Sequence, residues 1–297
     1  MMIANKDKGC AMLRFLSFIP AVLIFLAPLH AHAIDIRQVE TGLGLKALLV
    51  EDHALPIITL SFAFQGGSSQ DPEGKSGALN LMSALLDEGA GPYEAEVFQD
   101  RLEDIATRLS FSAGRDHLFG SLRTLRGNAD EAFEMLRLAI YEPRFDQKPL
   151  ERIRDQILSG IRSEKNNPNA LASKAMRELI YPQGHAYRRT GQGTEESLAS
   201  LSVADLKAIK ARVMAQDNLV ISVVGDISEA DLKARLDGLF GQLPQKADLR
   251  EISFVEPRLG ETKAIDINRP QTQFTFVGKG IARDDPDYFA AYLVNQI

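Results

Sequence analysis

Two residue types are nearly missing from this 297-residue chain: it has no tryptophan and one cysteine, Cys10. A lone thiol cannot close an intramolecular disulfide, and it rules out thiolate zinc clusters, which need several cysteines. Basic residues are in deficit, with 34 Lys and Arg against 40 Asp and Glu. That balance argues against a nucleic-acid binder, because phosphate contacts require a cationic surplus. Glycine (22) and proline (13) are too few for a collagen-like or low-complexity chain. Only one apolar run exists, residues 15–29, interrupted by Pro20 and Pro28. It falls short of the roughly 20 residues a membrane-spanning helix needs. The chain also lacks a G-x-S-x-G nucleophile elbow and any histidine pair spaced i, i+4.

That apolar run has a clear sense at the N-terminus. Lys6, Lys8 and Arg14 precede it and Ala31-His32-Ala33 follows it, the tripartite order of a secretory signal. Residues 1–33 are expected to be a signal peptide cleaved after Ala33, with Met12 an alternative start. Cleavage removes Cys10 and leaves 31 basic and 39 acidic residues, a net charge of −8. The expected address is the periplasm, with secretion the other destination, and no stable membrane span remains after cleavage.

The mature chain alternates groups of strands with groups of helices. Residues 45–50 and 56–65 read as strands, the second through alternating Leu60, Phe62 and Phe64. Leu79, Met82, Leu85 and Leu86 mark a helix over 76–87, and a second follows at 94–109. Residues 109–113 and 118–125 form a strand couple across Gly114-Arg115-Asp116. Helices are expected at 130–141, 146–164 and 170–180, then from Ser202, with Asp205 completing a capping box. A strand at 218–224 and a helix at 228–240 follow, then a strand at 273–277 and a helix start at Asp284-Asp285-Pro286-Asp287. Grouped strands favour α+β, a mainly antiparallel sheet packed against helices. The expected domains are a lobe over 34–248, a linker over 249–263, and the start of a truncated second lobe over 264–297. The last helix carries Phe289, Tyr292 and Leu293 with no polar cap after it, so the sequence reads as a fragment.

Local chemistry is sparse. Gly74-Lys75-Ser76 lies between a strand and a helix, but Ser69 stands where a phosphate-binding loop needs glycine, and Asp71 and Glu73 would repel phosphate. It reads as a polar loop. His53, His117 and His185 lie far apart and fit surface or hydrogen-bonding roles better than metal ligation.

In order and spacing, the landmarks resemble the pitrilysin/insulinase-type zinc metallopeptidase family. They are Phe62-Ala63-Phe64 to Gly67-Ser68, Gly74-Lys75-Ser76-Gly77 before a helix, Glu151-Arg152 with the long helix to Glu164, and Tyr181-Pro182 with Gly191 to Thr194. Val223-Val224-Gly225-Asp226 and Asp285-Pro286-Asp287-Tyr288 with Leu293 and Asn295 complete the series, which covers residues 36–297.

Active members of that family carry an inverted zinc motif, H-x-x-E-H, on one helix face. By the resemblance, the two histidines and the catalytic glutamate fall here on Asn80, Ala84 and Ser83, and the third ligand falls near Gly160. The resemblance therefore implies a non-catalytic subunit with no catalytic or metal-ligating residue and no zinc of its own. Zinc is expected in a partner subunit of the same family, and the pair would enclose and position peptide substrates. In bacterial pairs of this kind the zinc-less subunit supplies an Arg/Tyr pair from its second lobe, a segment past Ile297. The alternative is a non-proteolytic binding or scaffold module on the same fold.

Overall fold

A computed structural model describes residues 35–268 and 270–296. The expected signal peptide and its expected cleavage after Ala33 lie outside the described residues.

Six strands form one mixed sheet: β1 (Arg37–Glu40), β2 (Lys46–Glu51), β3 (Ile57–Gln65), β4 (Arg108–Ala113), β5 (His117–Leu125) and β6 (Leu219–Gly225), in the order β1-β2-β6-β3-β5-β4. Four of the five ladders are antiparallel, and β2 runs parallel to β6. The alternation in β3 works as the sequence suggests. Ile58, Leu60, Phe62 and Phe64 point into the core, and Ser61 and Gln65 point out. Leu118 and Leu122 of β5 and Ile221 and Val223 of β6 continue the buried face.

Helices cover that face. They are α1 (Ala78–Ser83), α2 (Ala95–Asp104), α3 (Ala129–Tyr141), α4 (Gln147–Glu164), α5 (Pro168–Ile180), α6 (Glu195–Ser200), α7 (Val203–Val213) and α8 (Glu229–Phe240). Leu79 and Met82 of α1, Leu136 and Ile140 of α3, Leu206 of α7 and Phe240 of α8 share one apolar core with the strands. At its centre the Phe62 ring meets Phe240 and Phe64 edge-on, at 5.3 and 5.9 Å between centroids. Gly120, paired with Phe62 across β3 and β5, makes room for that ring, since a Cβ there would lie 2.1 Å from it. The expected capping box at Ser202 is present, with Asp205 reciprocating.

The architecture is thus α+β, a mixed and mainly antiparallel sheet with helices on one face. Several boundaries differ from expectation. The first helix is only α1, because the backbone from Ala84 onward turns before Asp87. The second helix stops at Asp104, and Ala106, with φ +48°, turns the chain into β4. Residues 273–277 form no strand: they have no ladder partner, and Phe274 and Phe276 are exposed. The helix expected from Asp284 begins later, as α9 (Tyr288–Val294), with Asp284–Pro286 in turns. β1 and α6 were not foreseen. No helix among the described residues is long and apolar enough to cross a membrane.

Candidate functional site

The loop between β3 and α1 is built around one carboxylate. Asp71, buried, accepts the backbone N–H groups of Gly77 (2.7 Å) and Leu79 (2.9 Å), which satisfies donors that the start of α1 leaves open. Its own carbonyl oxygen is held by Arg189 (3.0 Å) and Arg250 (2.7 Å). Burial still prevails and pushes the Asp71 carboxyl up to about 6, against the two backbone hydrogen bonds and the nearby arginines. Gly77 has φ +89°, and a Cβ there would approach the Gln192 carbonyl oxygen to 2.6 Å, so glycine is required. The lysine of Gly74-Lys75-Ser76 spends its ammonium on the Ser200 carbonyl (2.7 Å) and the Asp205 carboxylate (3.1 Å). It braces α1 against α7, and this loop is no phosphate cradle.

Asn80 and Ala84 are half-buried on α1, and Ser83 is buried with its hydroxyl donating to the Asn80 carbonyl at 2.9 Å. α1 packs beside α4, which carries Gly160 on an exposed turn with open space around it. These are the two helices on which the resemblance places the family's metal site. The residues are not suited to zinc, since Ala84 and Gly160 have no donor atoms and Asn80 offers only a weak amide oxygen. Neighbouring carboxylates are engaged elsewhere: Glu88 with Arg152, Glu151 with Gln147 (2.5 Å), and Glu164 with Gln192 (3.2 Å). Among the described residues no group of three or more His, Cys, Asp and Glu side chains is placed to hold a metal ion. Asp87, just past α1, is pushed up to about 6, chiefly by burial and also by adjacent Glu88.

The three histidines of the described residues are dispersed. His53 meets Asp226 at 2.5 Å, and Arg126 meets the same carboxylate at 2.6 Å. The hydrogen bond from His53 and the charge of Arg126 hold Asp226 below the usual carboxylate range. His117 packs on Phe119. His185 stacks on Tyr181 with centroids 5.0 Å apart, and its Nε2 lies 3.1 Å from the Ser253 carbonyl oxygen. Sequence reading gives Asp71 only a role against phosphate and Arg115 only a place in a turn, and it singles out neither Asp87 nor Arg177. No local motif marks any of them, because their surroundings are assembled from separate elements.

These features define a class: a metallopeptidase-type α+β lobe in which α1 and α4 adjoin and carry Asn80, Ser83, Ala84 and Gly160. Comparison with known proteins narrows it. Residues 46–190 match the insulinase (peptidase family M16) model, and residues 200–297 match the peptidase M16 inactive domain. The chain belongs to the insulinase, or M16, peptidase family. It is 28% identical over 217 residues to a protein from Helicobacter pylori described as the non-peptidase homolog YmxG, a match covering 73% of this chain and 50% of that protein. Bovine cytochrome b-c1 complex subunit 1 is 20% identical over 72% of this chain and 44% of its own length. A crystal structure of a peptidase M16 inactive domain from Pseudomonas fluorescens superposes with a TM-score of 0.69. Its sequence is 30% identical, covering 74% of this chain and 53% of that one. The chain spans about half the length of the curated relatives it matches.

Proposed function

We propose that this chain is the non-catalytic member of a periplasmic zinc peptidase pair. It joins a zinc-bearing subunit of the same family and helps to enclose and position peptide substrates. The observation that carries this reading is an intact α1–α4 frame on which the ligand positions are Asn80, Ala84 and Gly160 and the base position is Ser83. Without a base or a ligand set, this chain supplies no water activation, so hydrolysis falls to the partner. Kinship to a protein described as a non-peptidase homolog supports the reading. So does the edge position of β4, whose outer backbone groups have no strand beside them. An extended peptide can add to such an edge through main-chain hydrogen bonds.

The test is zinc content and peptide cleavage, measured on the leader-free chain alone and again after mixing with an H-x-x-E-H subunit. Chelator-sensitive cleavage by the mixture only is the expected result. One zinc per chain with cleavage by this chain alone would overturn the reading. N-terminal sequencing of exported protein should find Ile34 first. A non-proteolytic scaffold role is the second reading, favoured by the likeness to a respiratory-complex subunit. It gains if the mixture assembles but no peptide is bound or cleaved.

A further inference from the structure

The last turn of α5 holds an arginine without a counter-ion. Arg177 makes no ion pair and no side-chain hydrogen bond among the described residues, and its Nε is shut off from solvent without a partner. The side chain as a whole is half-buried, so its charge stays hydrated and its terminal N–H groups remain open to a ligand.

A second arginine stands close by. Tyr181 follows Arg177 by one helical turn, its N–H bonded to the Arg177 carbonyl at 3.1 Å. The Tyr181 ring packs edge-on against Tyr187, 5.6 Å between centroids. Over the other ring contact of Tyr187 sits the Arg115 guanidinium, 5.4 Å from the centroid, with Nη1 donating to the Tyr187 carbonyl at 3.0 Å. Tyr187 is itself fixed by its hydroxyl, which donates to Asp116 at 2.8 Å, and by His185 against its ring. Arg115 is thus oriented by an aromatic platform yet has no carboxylate of its own. Burial and the proximity of Arg115 both lower the Arg177 pKa. The nearest carboxylates are engaged elsewhere, Glu178 with Lys263 (3.0 Å) and Glu164 with Gln192. Glu164, whose charge acts on Arg177, is the last residue of α4 and lies one turn beyond Gly160.

We propose that Arg115 and Arg177 form a binding site for a carboxylate of an extended peptide. This rests on the peptide-handling reading above and adds what the subunit recognises. A guanidinium engages a carboxylate through paired N–H donors, and two such groups brought together on a rigid support lack only the anion.

The test measures binding of three short unstructured peptides to the leader-free chain by calorimetry. One has a free C-terminus and no acidic side chain, one is amidated with a single internal Glu, and one is amidated with Gln in its place. The Gln peptide is expected to bind about tenfold more weakly than at least one of the others. Which carboxylate peptide binds tells a terminal carboxylate from a side-chain one. Arg177→Met and Arg115→Gln should each abolish that difference. Arg177→Met should leave the melting temperature close to that of the wild-type chain, because Arg177 makes no ion pair or side-chain hydrogen bond among the described residues that the substitution would break. Equal binding of all three peptides by the wild-type chain overturns the proposal. So does a carboxylate preference that survives both substitutions, or a loss of folding in Arg177→Met together with a preference retained in Arg115→Gln. Cleavage by the two-subunit mixture does not depend on this outcome, so either idea can fail without the other.

Discussion

The backbone N–H of Ala84 donates to the carbonyl oxygen of Asn80 at 3.1 Å, which sets these two positions one helical turn apart on α1. That spacing puts side chains i and i+4 on one face, the arrangement two zinc-binding histidines use. On the proposed reading, this chain lacks the donor atoms and keeps the frame that would aim them.

If so, ligands can be put back. Asn80→His, Ala84→His and Gly160→Glu introduce the three donors, and Gly160 has open space for a longer side chain. The combined variant is expected to bind one zinc per chain, read by metal analysis after dialysis, while the parent binds none. A folded variant without zinc would mean that α1 and α4 do not converge on a common point.

Asp87 gives a prediction with a sign. Its folded pKa is raised to about 6 from 3.8, mainly by burial. The protonated form therefore favours the folded state, an advantage complete below about pH 4 and lost as pH rises through about 6. Asp87→Asn removes the loss, so the variant should exceed wild type in stability at pH 7.5 by up to about 3 kcal/mol and match it near pH 4. Denaturant midpoints at both pH values check this, and an equal gain at both would refute burial as the cause. Asp71 shares the shift, but it also holds Gly77 and Leu79, so its replacement mixes two effects.

Gly120→Ala places a methyl group against the Phe62 ring, where a Cβ would sit 2.1 Å away. A destabilisation of about 1–3 kcal/mol is expected from overpacking. Phe62→Leu should relieve much of it, and a double-mutant cycle measures the coupling. Additive effects would show that the ring moves aside freely.

Much of the fold was legible from side-chain periodicity. β3 and β5 have four or more alternating positions, and α3, α4 and α8 present long apolar stripes, so both signals survive averaging. β1 has four residues and one buried side chain, Val39, too little for alternation to register. α6 is six residues long, although Thr194 and Ser197 form a capping box that could have flagged it. Residues 273–277 alternate Phe274 and Phe276 as a strand would, but alternation cannot supply a neighbouring strand. Asn80, Ser83, Ala84 and Gly160 look like ordinary helix residues, so only kinship could assign the family's metal positions to them. The arginine pair was not legible at all, because α5 and the β4–β5 turn meet only in the folded chain.

The position of β6 bears on how the molecule is made. Among the described residues it is the last strand, yet it lies between β2 and β3, the second and third. A growing polypeptide can zip β3, β5 and β4 together early, while β2 has no neighbour on its inner side until about residue 225 has been synthesised. Loop-closure entropy makes so distant a pairing slow. Until it forms, two strand edges stay bare, a natural place for a chaperone to hold the nascent chain or for two unfinished copies to stick together.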